Sequence, residues 1–313
     1  MTETIIFMGT PDFSVPILKR LHETYHVAKV ISQPDKPVGR KRVLTSPPVA
    51  EAAKALGIPL FQPDRIRDEA ALGKIAEIEP DLIITAAYGQ ILPKALLDIP
   101  PLGAINVHAS LLPRHRGGAP IHRSIMEGDS ETGVTIMYMA EGLDSGNIIS
   151  SRKTPISDQD DTGTLHDRLS GIGADLLMDT LPDILSGTND SIQQDADLVT
   201  VSPNISKADE QIDWSRSARE VFNHIRGLSP WPGAYTEYDG KRLKIYEARP
   251  PEGASEYEPG TIVDTTPDGM RVACGDGATI EVTAVQLAGK KRTQASEFAA
   301  GRQITGTVLG QVE

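Results

Sequence analysis

Three observations predict a doubly wound α/β domain followed by a small all-β domain. Up to about residue 185, short apolar runs alternate with amphipathic stretches of helical period, as parallel strands and their crossover helices require. From about residue 243 the pattern becomes brief alternating runs separated by Gly, Asp or Pro, as in a small β-barrel or sandwich. Between the two, residues 186–207 carry Gly187, Asn189 and Asp190 and then a polar stretch of low periodicity, the natural boundary. A chain of 313 residues is long enough to bury a core in each part without disulfides or metals.

The first strand is expected over 4–9. It turns through Gly9-Thr10-Pro11-Asp12 into a helix over 13–23, where Pro16 is tolerated early. Only Gly9 stands where G-x-G-x-x-G is needed, which argues against a nicotinamide-dependent oxidoreductase. A second strand follows over 27–32 and an Ala-rich helix over 49–56. The 33–42 loop between them holds four cations, Lys36, Arg40, Lys41 and Arg42, and one acid, Asp35. Pro34, Pro37 and Gly39 are expected to keep this loop out of helix and strand.

The alternation continues with a short strand at 60–61, a helix over 68–78 and a buried strand over 82–86 that ends in Ala87-Tyr88-Gly89-Gln90-Ile91-Leu92-Pro93. Ligands of open α/β sheets gather at the carboxyl ends of strands, so this turn and the end of the next strand should border one crevice. That next strand begins with the small, apolar Gly103-Ala104-Ile105 and then places polar residues at alternate positions, Asn106 and His108. Side chains two apart in a strand face the same side, so a carboxamide donor and an imidazole should point at one target. Such a pair suits a developing oxyanion. Asp144 lies in the Gly-flanked turn Gly142-Leu143-Asp144-Ser145-Gly146, which can return a carboxylate to the imidazole. His108, His115 and His122 recur every seven residues, but Pro113, Gly117-Gly118 and Pro120 break any helix that would align them, so no metal is expected.

A helix over 121–127, a strand over 133–139, a strand near 148–153 and a long helix over 164–185 complete the first part. In the second, a helix over 217–226 precedes SPWPGAY, and strands are expected at 243–247, 261–263, 271–274 and 279–285.

The net charge of −12 argues against general nucleic-acid binding, which depends on neutralising phosphates with Lys and Arg. Neither part is basic: 18 cations face 24 acids up to residue 188, and 12 face 16 beyond residue 208. Any nucleic-acid contact must come from local patches. Cys274 is the only cysteine, which removes any disulfide within the chain. The start of the sequence shows no signal or transit pattern, and no apolar run approaches the ~20 residues that cross a bilayer. The expectation is a soluble, cytoplasmic protein with no membrane association.

Asn-x-His at 106–108, followed by Ser110-Leu111-Leu112-Pro113, Arg116-Gly117, Ala119-Pro120, Thr132-Gly133-Val134-Thr135 and Leu143-Asp144-Ser145-Gly146, closely resembles the folate-dependent formyltransferases. Among them it is most similar to the members that act on an initiator tRNA charged with methionine. IDWS, SPWPGAY, PGTIV, CGDG and QLAGKK extend the resemblance through the second part in the same order, so it covers essentially the whole chain. It implies a Rossmann-like formyltransferase domain over 1–188, a linker over 189–208 and an OB-like tRNA-binding domain over 209–313. The donor it implies is 10-formyltetrahydrofolate, the acceptor is initiator Met-tRNA, and the chain is expected to act as a monomer.

By the same resemblance Asn106, His108 and Asp144 form the catalytic set. Ser110, Leu111, Leu112 and Pro113 lie against the folate, and the turn of Tyr88, Gly89, Gln90, Ile91 and Leu92 helps form the pterin pocket, largely through backbone groups. QPDKPVGR matches an inserted loop that enters the acceptor end of the tRNA, which assigns tRNA contact to Lys36, Arg40, Lys41 and Arg42. Three other readings stay open: a formyltransferase acting on a sugar nucleotide or glycinamide ribonucleotide, a hydrolase of the formyl donor, and a non-enzymatic tRNA-binding module. The first two leave the 33–42 loop and the second domain unexplained, and the third has no need of Asn106, His108 and Asp144 together.

Overall fold

The computed structural model describes residues 3–39 and 41–310. The chain forms two compact units. One comprises residues 1–117, 132–154 and 166–201; the other comprises 118–131, 155–165 and 202–313.

The first unit opens with β1 (Ile5–Gly9), α1 (Ser14–His22), β2 (Val27–Ile31), β3 (Lys36–Val38), β4 (Val43–Thr45), α2 (Pro48–Leu56) and β5 (Leu60–Phe61). It continues with α3 (Glu69–Ala76), β6 (Leu82–Ala86), α4 (Lys94–Leu97) and β7 (Ala104–His108). After α5 (Pro120–Met126), which belongs to the other unit, come β8 (Glu131–Tyr138), β9 (Ile148–Pro155) and the 25-residue α6 (Thr162–Ser186). The seven-stranded sheet runs β5-β2-β1-β6-β7-β8-β9. Its first five strands pair in parallel, and β8 turns antiparallel against β7. This is the expected doubly wound, Rossmann-like domain.

The sequence dictates this order physically. IIFMG in β1 and LIITA in β6 are buried along their whole length, as parallel strands covered on both faces must be. Ile6, Met8, Ile31, Ile66, Ile75 and Ile83 share one core cluster. Strand order reverses between β1 and β6, a switch point where a crevice opens at the carboxyl ends. Gly9 ends β1 there, and a Cβ on it would meet the Ser14 Cβ at 2.9 Å and the Ala86 carbonyl oxygen at 3.1 Å. The glycine therefore serves close packing of α1 on the sheet rather than phosphate binding. Ser14 Oγ donates to the same Ala86 carbonyl at 2.6 Å.

The 33–42 loop departs from its expected irregular form. Residues 36–38 and 43–45 form a two-stranded antiparallel hairpin, with Pro37 opposite Leu44. Proline is tolerated because the hairpin has no third strand to need its missing N–H, and Gly39 at φ +71° helps turn the chain.

The second unit contains α5, α7 (Ala218–Gly227), β10 (Ala234–Tyr238), β11 (Lys241–Ala248), β12 (Ile262–Thr265), β13 (Met270–Ala273), β14 (Thr279–Leu287), β15 (Thr293–Gln294) and α8 (Ala295–Ala299). Its strands pair antiparallel in the order β10-β11-β14-β13-β12, with β15 added to β14. This is the small all-β domain expected from the alternating runs, and it fits the OB-like form that the resemblance implies. Helix α7 starts on a full capping box, Ser217 Oγ accepting from the Glu220 N–H while Glu220 reaches back to the Ser217 N–H. Val221, Phe222 and Ile225 on its buried face join Trp214, Leu243, Ile245, Val272 and Phe298 in one core. Among the described residues no helix is long and apolar enough to cross a membrane.

Candidate active site

Strand β7 carries Asn106 and His108 to the carboxyl edge of the sheet, and β6 stands beside it in register, Thr85 opposite Asn106. Thr85 is the polar residue of an otherwise apolar buried strand and is 2% exposed. Its Oγ1 donates to Asn106 Oδ1 at 2.8 Å. With its oxygen held from behind, the carboxamide presents its NH2 group as the donor.

His108 is 6% exposed, and two oxygens flank its ring. Nε2 donates to the His115 carbonyl at 3.0 Å, which requires a proton on Nε2. Nδ1 lies 3.7 Å from Asp144 Oδ2, an ion-pair distance but too long for a direct hydrogen bond. A ring protonated on both nitrogens therefore meets an acceptor on each side.

Asp144 is fixed by its own loop. Its Oδ2 accepts from the Gly117 N–H at 2.8 Å, and its backbone adopts the left-handed region at φ +43°. Gly146 follows where a Cβ would fall 1.8 Å from the Tyr138 carbonyl oxygen. Only glycine lets the loop approach β8 this closely. The turn seen in the sequence thus does bring its carboxylate to the imidazole.

The residues expected against the folate lie on the two neighbouring segments. Ser110 is buried, its Oγ donating to the Arg114 carbonyl at 2.7 Å. Thr135 on β8 ties this segment down: its Oγ1 donates to the Ser110 carbonyl at 2.7 Å and accepts from the Leu112 N–H at 3.2 Å. Leu111 is half-buried, Leu112 is buried, and the peptide bond to Pro113 is cis. In the other segment Tyr88 turns its ring into the core, where burial pushes its hydroxyl up to about 12. The Tyr88 carbonyl accepts from Thr10 Oγ1 at 2.7 Å and Gln33 Nε2 at 3.1 Å. Gln90 Oε1 accepts from the Ile66 N–H at 2.9 Å, and Leu92 is buried. Ile91 is 90% exposed, leaving an apolar side chain free on the turn.

Of the four cations in the 33–42 loop, Arg40 lies outside the described residues. Lys36 donates to Gln33 Oε1 at 2.8 Å, and Lys41 and Arg42 are exposed. The base of the hairpin is anchored. Hydrogen bonds from Gln62, and then Ser46, hold the Asp35 carboxyl below its ordinary range. Among the described residues no cluster of three or more His, Cys, Asp or Glu could hold a metal ion.

No motif in the sequence points to Thr85, the His115 carbonyl or Gln194, whose amide binds the Asp144 loop, and Thr135 stands in one of the motifs without a role attached. A signal existed for Thr85, a lone hydroxyl near the end of an apolar strand. Gln194 had none, because it lies in the polar 186–207 stretch.

An amide donor and an imidazole side by side on a strand end, with a carboxylate behind the ring, suit the transfer of a carbonyl-bearing group through an oxyanion. The chain belongs to the formyl transferase family: the profile described as formyl transferase matches residues 3–181, and that of the formyl transferase C-terminal domain matches 204–303. The methionyl-tRNA formyltransferase of Listeria monocytogenes serotype 4b is 54% identical over 306 residues, covering 97% of each chain. That of Halalkalibacterium halodurans is 53% identical over 310 residues, covering 98% of each. Among solved structures, an N-formyltransferase from Helicobacter canadensis, in complex with folinic acid and dTDP-3-aminofucose, is similar in fold with a TM-score of 0.68. It is 18% identical, and the match covers 90% of this chain and 99% of that one.

Proposed function

We propose that this chain transfers a formyl group from 10-formyltetrahydrofolate to the α-amino group of methionine on initiator tRNA, forming formylmethionyl-tRNA for translation initiation. One observation carries the chemistry: His108 sits between the His115 carbonyl and the Asp144 carboxylate on the strand that also presents Asn106. The acceptor is supported by relatives more than 50% identical, over nearly their full length, that bear the name methionyl-tRNA formyltransferase.

The reaction needs a neutral amine, a stabilised oxyanion and a proton for the departing nitrogen. A free α-amine titrates at roughly 8, and a neighbouring ester lowers that value, so much of the nucleophile is already neutral near pH 7. The amine nitrogen bonds to the formyl carbon, and the carbonyl oxygen takes up negative charge facing the Asn106 NH2 and the His108 ring. On collapse the bond to N10 breaks, and the proton lost by the amine ends on N10. His108 is suited to shuttle it, with Asp144 orienting the ring and balancing its charge.

The donor is held by Ser110, Leu111, Leu112, Pro113 and the Tyr88–Leu92 turn, the latter largely through backbone groups. Lys36, Arg40, Lys41 and Arg42 engage the acceptor end of the tRNA. Phosphate contacts from the lysines give affinity, and an arginine fork adds base or stacking contacts. In this reading residues 1–188 are the catalytic domain, 189–208 the connection and 209–313 the tRNA-binding domain. The enzyme acts as a cytoplasmic monomer.

The test is a panel in which the protein and 10-formyltetrahydrofolate meet initiator Met-tRNA, elongator Met-tRNA, a free amine or water alone. Strong preference for initiator Met-tRNA is the expected result. Transfer to a small amine at equal efficiency, or hydrolysis alone, overturns the proposal.

A further inference from the structure

The stretch that reads as a connection laces the catalytic loops together. Ile192 exchanges both backbone hydrogen bonds with Ile148, at 2.8 and 2.9 Å. Two residues on, Gln194 is 8% exposed and uses every bonding position of its amide. Nε2 donates to the carbonyls of Asp144 and Gly146, both at 2.8 Å, while Oε1 accepts from Arg116 Nε at 3.0 Å and Nη2 at 2.8 Å. Thr200 then grips the other loop: its Oγ1 accepts from the His115 N–H at 2.8 Å and its carbonyl from the Arg116 N–H at 2.9 Å.

These two loops supply both oxygens that flank His108. The His115 carbonyl meets Nε2, and the Asp144 carboxylate, itself held by the Gly117 N–H, faces Nδ1. Asp144 also occupies a left-handed backbone conformation, and its carbonyl is held from outside its own loop. Gln194 provides that hold and ties it, through Arg116, to the loop of His115 and Gly117.

We infer that Gln194 is a positioning residue for the transfer reaction, acting through Asp144 by joining the 142–146 loop to the 115–117 loop around His108. The inference rests on the reading of Asp144 as the partner of His108. Without the two Nε2 donors the carboxylate drifts from the ring, and a displacement of about 1 Å at a reacting centre can cost ~10²-fold.

The experiment compares single-turnover formyl transfer and the KM for 10-formyltetrahydrofolate in Gln194→Ala, Gln194→Glu, Asp144→Ala and the Gln194→Ala/Asp144→Ala double variant. Gln194→Ala should lose about 10–10²-fold in rate with the donor KM nearly unchanged. Gln194→Glu has the same size and keeps an acceptor for Arg116, but sets an oxygen against the two carbonyls, so it should lose a similar factor. The double variant should be no slower than Asp144→Ala within ~3-fold, because residues acting as a unit are not additive. Full multiplication of the two losses, or wild-type rates in Gln194→Glu, overturns the inference while leaving Asp144 in place. Near-wild-type transfer by Asp144→Ala overturns the catalytic reading itself, and the inference with it.

Discussion

Replacing Thr85 with Val removes one hydroxyl and little else. The side chain is 2% exposed within β6, where a β-branched residue of nearly the same size keeps the strand and its packing. Its single proton makes its shortest contact with Asn106 Oδ1, at 2.8 Å, against 3.1 Å to the Ile105 carbonyl and 3.3 Å to Met139 Sδ. A buried neutral hydrogen bond of this kind is worth ~1 kcal/mol, which corresponds to about fivefold in rate if it acts only by orienting the amide. Losing the donor itself, in Asn106→Ala, should cost about 10²–10³. The order of effects is therefore fixed in advance: Thr85→Val loses severalfold, Asn106→Ala loses at least tenfold more, and Thr85→Ser recovers most of the rate. Single-turnover transfer at saturating donor, with donor affinity measured separately, reads this series. Wild-type rates in Thr85→Val beside a crippled Asn106→Ala would show that the amide needs no orienting hydroxyl. A loss in Thr85→Val as large as in Asn106→Ala would mean that the hydroxyl does more than orient.

Asp144→Asn keeps an oxygen for the Gly117 N–H but removes the charge facing His108, so turnover should fall by ~10-fold or more with donor affinity retained; unchanged kcat counts against the pairing. Arg40→Ala should reduce formylation of initiator Met-tRNA far more than slow hydrolysis of the formyl donor, since the catalytic set is intact; equal losses would move Arg40 into donor binding. In the second unit, burial first, then nearby Arg216, pushes His224 down to about 4, and its Nε2 is sealed without a hydrogen-bond partner. Its folded value lies below the ordinary one, so the unfolded chain binds the extra proton and stability falls as pH drops from about 6.5 toward 4, by up to ~3 kcal/mol. Urea unfolding of wild type and His224→Gln across that range should show the variant losing less stability; parallel curves would refute the assignment.

What the sequence made legible, it made legible through periodicity. Alternation in β7 put Asn106 and His108 on one side, and glycines around Asp144 marked a turn that the structure brings onto the imidazole at 3.7 Å. The doubly wound sheet followed from runs such as IIFMG and LIITA, which burial on both faces explains. Contacts without a local pattern were not legible. Gln194 reaches Asp144 and Arg116 across 50 and 78 residues, and nothing in an aperiodic polar stretch announces such partners. Thr85 was hidden by its apolar neighbours. In the β3–β4 hairpin, Pro37 and Gly39 read in the sequence as breakers of helix and strand, although a free two-stranded hairpin accommodates both.

The central claim is that the His108 ring acts on the reacting formyl group. The most direct measurement is the single-turnover rate of formyl transfer to initiator Met-tRNA by His108→Ala, with donor binding determined independently. The rate should fall by at least ~10²-fold, the scale for losing a positioned acid–base group, while the donor dissociation constant stays within a few-fold of wild type. A rate near wild type, or a loss wholly explained by weaker donor binding, would contradict the account.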